Sequence, residues 1–235
     1  MSKFAVVLAA AGKSSRFGDP HTKKVYAKIG DKPLWMYSAE LFADRKDVGQ
    51  ILIVIAEQDK ELFNEKFAAS AAMLGVQPVL GGVERADSVR NALVQVNAAC
   101  ELIAVHDAAR PCLSHSDVDR VFQAAREHGA ALLATPVNAT LKRVQGSVVE
   151  ETVPRDGLWL AQTPQVFETQ LLKKAYDGHP NASQATDEAS LVEAMGHEVR
   201  IVEGDSRNIK VTTKADLRFA EFALKTKPKG NPFPF

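Results

Sequence analysis

Four cations stand out because each falls where an apolar strand gives way to a loop: Arg16, Lys24, Arg155 and Lys210. Any one of them is explained as a solvated surface charge. If the fold brings them together, they form a clamp in which preplaced Lys and Arg side chains meet the negative charge developing on a phosphoryl centre. Segment 8–18 offers a place for that meeting. Ala10, Ala11 and Gly12 let the backbone approach a phosphate or a base closely, and Lys13, Arg16, Lys23 and Lys24 surround it with positive charge. The glycine spacing matches neither a P-loop nor a dinucleotide fingerprint. Without the latter, an NAD-dependent oxidoreductase is a poor reading.

Two further motifs sit at apparent strand ends. Gly81 and Gly82 lead into Val83, Glu84, Arg85, Ala86, Asp87 and Ser88. This suits close backbone approach to a flat base or a phosphate, with Ser88 hydrogen-bonding to it, and equally suits a plain turn that opens a helix. His106, Asp107, Ala108, Ala109, Arg110 and Pro111 close another apolar run. Asp107 has the chemistry to contact a sugar hydroxyl or to help hold magnesium, and Arg110 that of a structural partner for the carboxylate. His106 reads as an oriented core or loop histidine, because with Cys112 it lacks the third, orienting member of a nucleophilic triad.

The elements that must position these residues follow from periodicity. Apolar runs at 4–10, 51–56, 76–80, 102–105 and 131–134 read as buried strands. Between them Val89, Leu93 and Val96, then Val118, Val121, Phe122 and Ala125, recur at helical spacing. The alternation predicts an α/β fold with a doubly wound, mostly parallel sheet, whose ligands gather at the carboxyl ends of the strands. The three motifs lie there. Stretch 138–163 breaks the rhythm: two short strands around a Gln145-Gly146 turn predict a protruding β-hairpin arm. Such an arm is marginal alone, and a partner subunit is the natural surface for it. Asp187 and Glu188 predict a helix start, 198–202 and 209–212 late strands, and Leu217, Ala220 and Leu224 a last helix. The tail 226–235, rich in proline, reads as flexible.

Length fits one domain over 1–235. Twenty-nine Lys and Arg balance 29 Asp and Glu, so no net field draws the molecule to nucleic acid or to an anionic membrane, and an anion site depends on local clustering. Cys100 and Cys112 alone supply neither a disulfide framework nor a zinc set. No apolar run approaches the ~20 residues of a membrane span, and no secretory pattern opens the chain. A cytoplasmic setting is expected.

Taken in order, these motifs resemble the 2-C-methyl-D-erythritol 4-phosphate cytidylyltransferase family, enzymes of non-mevalonate isoprenoid synthesis that join CTP to methylerythritol phosphate and release pyrophosphate. The resemblance spans about residues 4 to 224. Besides the motifs above it rests on Tyr26, on Thr140 with Lys142 and Arg143, on Arg155 with Gly157, Leu158 and Trp159, on Thr163, Pro164 and Gln165, on Thr186 to Ser190, and on Asn208 to Thr212. It implies a Rossmann-like nucleotidyltransferase fold. Ala10, Ala11, Gly12, Gly82, Val83 and Ser88 become cytosine and ribose contacts, and Arg16 and Lys24 act on the α-phosphate. Asp107 and Arg110 hold the methylerythritol moiety, while Lys210 and Arg155 orient the acceptor phosphate. It further implies Mg2+, carried mostly by the CTP phosphates with Asp107 as a candidate protein ligand. A homodimer is implied whose arms exchange, so that Thr140 and Arg155 act in trans.

The chain departs from the family pattern at four positions: Ser14 replaces a glycine, Lys23 a proline, Val25 a glutamine and Val83 an acid. A sister enzyme that activates ribitol 5-phosphate with CTP shares most of the pattern and is the nearest alternative. A non-catalytic nucleotide-binding regulator is another, against which the four retained cations argue.

Overall fold

The computed structural model describes residues 3–18 and 22–226, so the tail from 227 lies outside the described residues. In chain order the elements are β1 (Lys3–Ala9), β2 (Lys28–Ile29), β3 (Lys32–Pro33), α1 (Leu34–Ala43), β4 (Val48–Ile55), α2 (Lys60–Met73), β5 (Val76–Leu80) and α3 (Arg85–Val94). They continue with β6 (Cys100–Asp107), α4 (His115–His128), β7 (Ala130–Pro136), β8 (Leu141–Gln145), β9 (Val148–Val153), β10 (Trp159–Glu168), α5 (Thr169–Gly178), α6 (Glu188–Ala194), β11 (Arg200–Glu203) and α7 (Lys214–Lys225).

Among the described residues the main sheet has seven strands in the order β11-β7-β10-β6-β1-β4-β5. β10 runs antiparallel to both β6 and β7, and the other pairings are parallel. In β1 the alternation is plain: Phe4, Val6 and Leu8 face one side and Ala5 and Val7 the other, and all are fully buried. The first side packs on Trp35 and Phe42 of α1, Phe63 of α2 and Phe122 of α4. The second packs on Val89 of α3, Leu172 and Tyr176 of α5 and Val192 of α6. Each of these large side chains contributes roughly 1.5–3 kcal/mol by leaving water. A smaller cluster joins Phe17, Leu34 and Val211 to Ala220 and Ala223 of α7, so that helix pins the loops behind the strand ends.

The helix ends follow ordinary capping chemistry. Ser114 accepts the Asp117 amide at 3.1 Å and Asp187 that of Ser190 at 3.1 Å, while Glu84 with Asp87, and Thr213 with Asp216, form reciprocal capping boxes. Helices α1, α2 and α5 were not anticipated. α1 is buried on too many sides, from Leu34 and Trp35 to Leu41 and Phe42, to show a polar face, whereas α5 has a legible period at Leu172, Ala175 and Tyr176.

Two readings need correction. Segment 209–212 is not a strand: the Val211 amide reaches the Ala109 carbonyl at 2.8 Å, and its side chain buries against α7, which explains the apolar spacing without a ladder. The arm itself is the exposed pair β8 and β9, turning at Gly146 (φ 61°). Residues 159–163, assigned to the arm from sequence, open β10 in the main sheet.

Candidate active site

β4 and β5 build outward from one side of β1, and β6 is laid on its other side. That reversal opens a crevice at the carboxyl ends of β1 and β6, the favoured ligand position in such sheets. Ala9 is in register with Asp107 there. The two glycine-bearing loops meet at the same end. A Cβ on Gly81 would lie 2.8 Å from Ser88 Oγ and 2.9 Å from Ala11 Cβ, and one on Gly82 would lie 2.4 Å from Asp87 Cβ, so only glycine allows this contact. The Ser88 hydroxyl is engaged within the loop, donating to the Glu84 carbonyl at 3.0 Å and accepting the Gly82 amide at 3.1 Å. Its immediate work is to shape the loop. Ala10 is buried, Ala11 partly so, and Gly12, Gly82 and Val83 are exposed.

Asp107 is the electrostatic centre. Its Oδ2 takes Lys210 Nζ at 2.9 Å and Arg110 Nε at 3.4 Å, and Oδ1 faces Arg85 Nε at 3.7 Å. Burial alone would raise the carboxyl pKa, but Lys210, Arg85 and Arg110 more than offset it and hold the group well below the usual range. Arg110 also donates to the Asn208 carbonyl at 2.7 Å. It therefore serves as a bracket between β6 and the 208–212 segment, as its pairing chemistry suggests. Burial, then the nearby Lys210, lower the pKa of Lys24; Arg16 and Arg110 add to this, and Asp107 opposes it. Arg16, Lys24, Arg110 and Lys210 thus share one field, although their positions span almost 200 residues.

The adjacent lysines separate cleanly. Lys23 Nζ turns to buried Asp59 at 2.7 Å, and Tyr26 donates to the same carboxylate at 3.4 Å, so Lys24 is the one left to the cluster. Ser14 has φ 56° and ψ 25°, a left-handed conformation that favours glycine. Its hydroxyl accepts the Lys24 amide at 3.2 Å, tying the loop to the lysine segment. A groove of about 1430 Å³ beside this loop is lined by Ser14, Lys23, Tyr26, Asp59 and Lys66, and neither Lys24 nor Asp107 is among its lining residues.

His106 is fully buried and hydrogen-bonded at both ring nitrogens. Nε2 lies 3.2 Å from Ser38 Oγ, which also reaches the Arg110 carbonyl at 3.4 Å. Nδ1 lies 3.0 Å from Thr163 Oγ1, whose oxygen accepts the Asp107 amide at 3.0 Å. Burial pushes the imidazole pKa down to about 4. This is a neutral orienting histidine and not a base.

Thr140 and Arg155 stand apart. Both are exposed on the arm, and Arg155 donates to the Asn138 carbonyl at its base. Among the described residues neither makes an ion pair or hydrogen bond with the Asp107 cluster. Nor does the cluster suit a protein-held magnesium ion: Asp107 faces three cations, and no group of three or more His, Cys, Asp or Glu gathers among the described residues.

Sequence reading gave no role to Arg85 and Glu188. Arg85 Nη1 pairs with Glu188 Oε1 at 2.7 Å. Both belong to recognisable motifs, but nothing local joins residues 103 positions apart.

The profile of IspD, 2-C-methyl-D-erythritol 4-phosphate cytidylyltransferase, matches residues 4–226. The chain belongs to this family. Among its relatives, the 2-C-methyl-D-erythritol 4-phosphate cytidylyltransferase of Rhodopirellula baltica is 42% identical over 231 residues, covering 94% of each chain. The solved Francisella tularensis IspD structure superposes with a TM-score of 0.81 at 30% identity, covering 94% of this chain and 100% of that one. A crystal structure of 4-diphosphocytidyl-2C-methyl-D-erythritol synthase gives 0.80 at 32% identity, over 95% and 99%. The doubly wound, mostly parallel architecture is therefore that of the IspD family.

Proposed function

We propose that this chain transfers the cytidylyl group of CTP to 2-C-methyl-D-erythritol 4-phosphate, forming 4-diphosphocytidyl-2-C-methyl-D-erythritol and pyrophosphate for isoprenoid precursor synthesis. The observation that carries the reading is the gathering of Lys210, Arg110 and Arg85 on Asp107, with Lys24 in the field of that cluster and of Arg16, beside two loops shaped by glycine, in a member of this family. An anionic oxygen of the acceptor phosphate attacks the α-phosphorus of CTP. The bond to the bridging oxygen breaks, and pyrophosphate leaves with the electron pair. A phosphate monoester is already anionic at neutral pH, so no general base is required. The obstacle is repulsion between polyanions, which preplaced cations reduce.

In this scheme Ala10, Ala11, Gly12, Gly82 and Val83 receive the cytosine and ribose through backbone groups, and Ser88 keeps the second loop in place. Arg16 and Lys24 act on the α-phosphate, and Lys210 orients the acceptor phosphate. Asp107 Oδ1, the oxygen that faces Arg85, accepts from an acceptor hydroxyl, with Arg110 bracing the carboxylate. Arg155 and Thr140 complete the site from a second copy, through exchanged arms of a homodimer in the cytoplasm. Magnesium enters on the triphosphate, because the protein residues here do not fit it. No helix among the described residues is long and apolar enough to cross a membrane.

Pyrophosphate release with CTP and each polyol phosphate tests the reading. Turnover with methylerythritol phosphate is expected. Preference for ribitol 5-phosphate would replace the acceptor, and CTP binding without turnover on either would favour a regulator.

A further inference from the structure

We infer that Arg85, held by buried Glu188, is a positioning residue that sets the Asp107 carboxylate for the acceptor; this rests on the acceptor reading above. The support begins at the start of α6. Gln165 Oε1 accepts the amides of Glu188 and Ala189 at 3.1 and 3.0 Å, and Gln165 Nε2 donates to Asp187 at 2.8 Å. The helix start is thereby locked to β10. Glu188 is 0% exposed, and its Oε1 takes both Arg85 Nη1 at 2.7 Å and the Tyr176 hydroxyl at 3.2 Å. Among the described residues its Oε2 has no hydrogen-bond partner.

A fully buried carboxylate with an orphaned oxygen, paired to a half-buried guanidinium, is a poor device for stability, since a well-packed apolar pair serves as well or better. What it provides is one fixed orientation of the Arg85 guanidinium. The other edge of that group faces Asp107 Oδ1 at 3.7 Å, while Oδ2 is occupied by Lys210 and Arg110. Arg85 keeps 28% of its side chain exposed, at the mouth of the crevice. Four elements, α5, α6, α3 and β6, thus form a strut that ends on the oxygen offered to the substrate. A guanidinium bridges two carboxylates with separate N–H groups, which a lysine ammonium does less well.

The experiment compares wild type with Arg85→Met, Arg85→Lys and Tyr176→Phe. Steady-state kinetics with CTP and methylerythritol phosphate are combined with calorimetric binding of the acceptor. Arg85→Met is expected to raise the acceptor KM by ~10-fold or more while the CTP KM stays within about twofold, with partial recovery in Arg85→Lys. Tyr176→Phe, the mildest change, should move the acceptor KM the same way by less, and it decides the matter if Arg85→Met does not fold. An unchanged acceptor KM in folded variants, or both KM values rising together, overturns the strut. If wild type releases no pyrophosphate, the functional reading fails, and acceptor affinity in wild type against Arg85→Met still decides the strut. No acceptor binding by wild type overturns both.

Discussion

The crevice at the ends of β1 and β6 and the arm of β8 and β9 carry cations of similar chemistry in opposite physical settings. In the crevice, Lys210, Arg110 and Arg85 are fixed around a carboxylate whose side chain is 8% exposed. On the arm, Arg143 and Glu151 pair in the open at 2.6 Å, and Val144, Val148 and Val149 are more than half exposed. The crevice residues are placed by a sheet packed on both faces, whereas Thr140 and Arg155 are placed only as far as their own two-stranded sheet allows. The difference teaches that a sheet packed on both faces fixes the charged groups at its strand ends, whereas a two-stranded arm fixes its own only relative to each other.

The largest effect expected is on the crevice side. Lys24→Ala should lower kcat by ~10²–10³-fold with little change in CTP affinity, as for a contact made mainly in the transition state. A rise in the CTP dissociation constant with turnover intact would remove that role. The arm should behave differently. Arg155→Ala is expected to raise the acceptor KM by ~10–100-fold without altering the fold, and mixing it with Lys24→Ala chains should restore about a quarter of wild-type activity after random reassociation of dimers. Absence of recovery in verified mixed dimers would confine the site to one chain and erase the contrast.

A smaller effect belongs to His106. Its folded pKa lies below the unfolded value, so the folded state favours the neutral ring. The unfolded chain takes up the proton first as pH falls below about 6.5, and stability is lost down to about pH 4, by at most ~1.4 kcal/mol per pH unit. Urea titrations of His106→Gln should therefore show a shallower fall across that window than wild type; parallel curves would disprove a buried neutral ring. Asp107, with its depressed pKa, contributes its own loss at lower pH, as the carboxylate protonates.

The smallest effect concerns Ser14. Ser14→Ala keeps the left-handed strain and loses the bond to the Lys24 amide, a destabilisation of ~1 kcal/mol. Ser14→Gly loses the same bond but relieves the strain, and should lie closer to wild type. Denaturation midpoints order the three proteins, and a glycine variant weaker than the alanine one would refute the account.

Sequence by itself determined the strands that are buried on both faces, the start of α6, and the motifs at strand ends, because apolar runs, capping residues and paired glycines are local signals. It also supplied the residues of the crevice, since their types and order carry the family resemblance. Only the tertiary structure decided which of them meet. It turned Lys23 to Asp59 and left Lys24 to the cluster, ran 159–163 into the main sheet, made His106 neutral by enclosing it, and joined Arg85 to Glu188 across 103 positions. The physical reason is that charge–charge and burial effects depend on distance in space, and a chain folded around a sheet makes those distances short without leaving a periodic trace in the sequence.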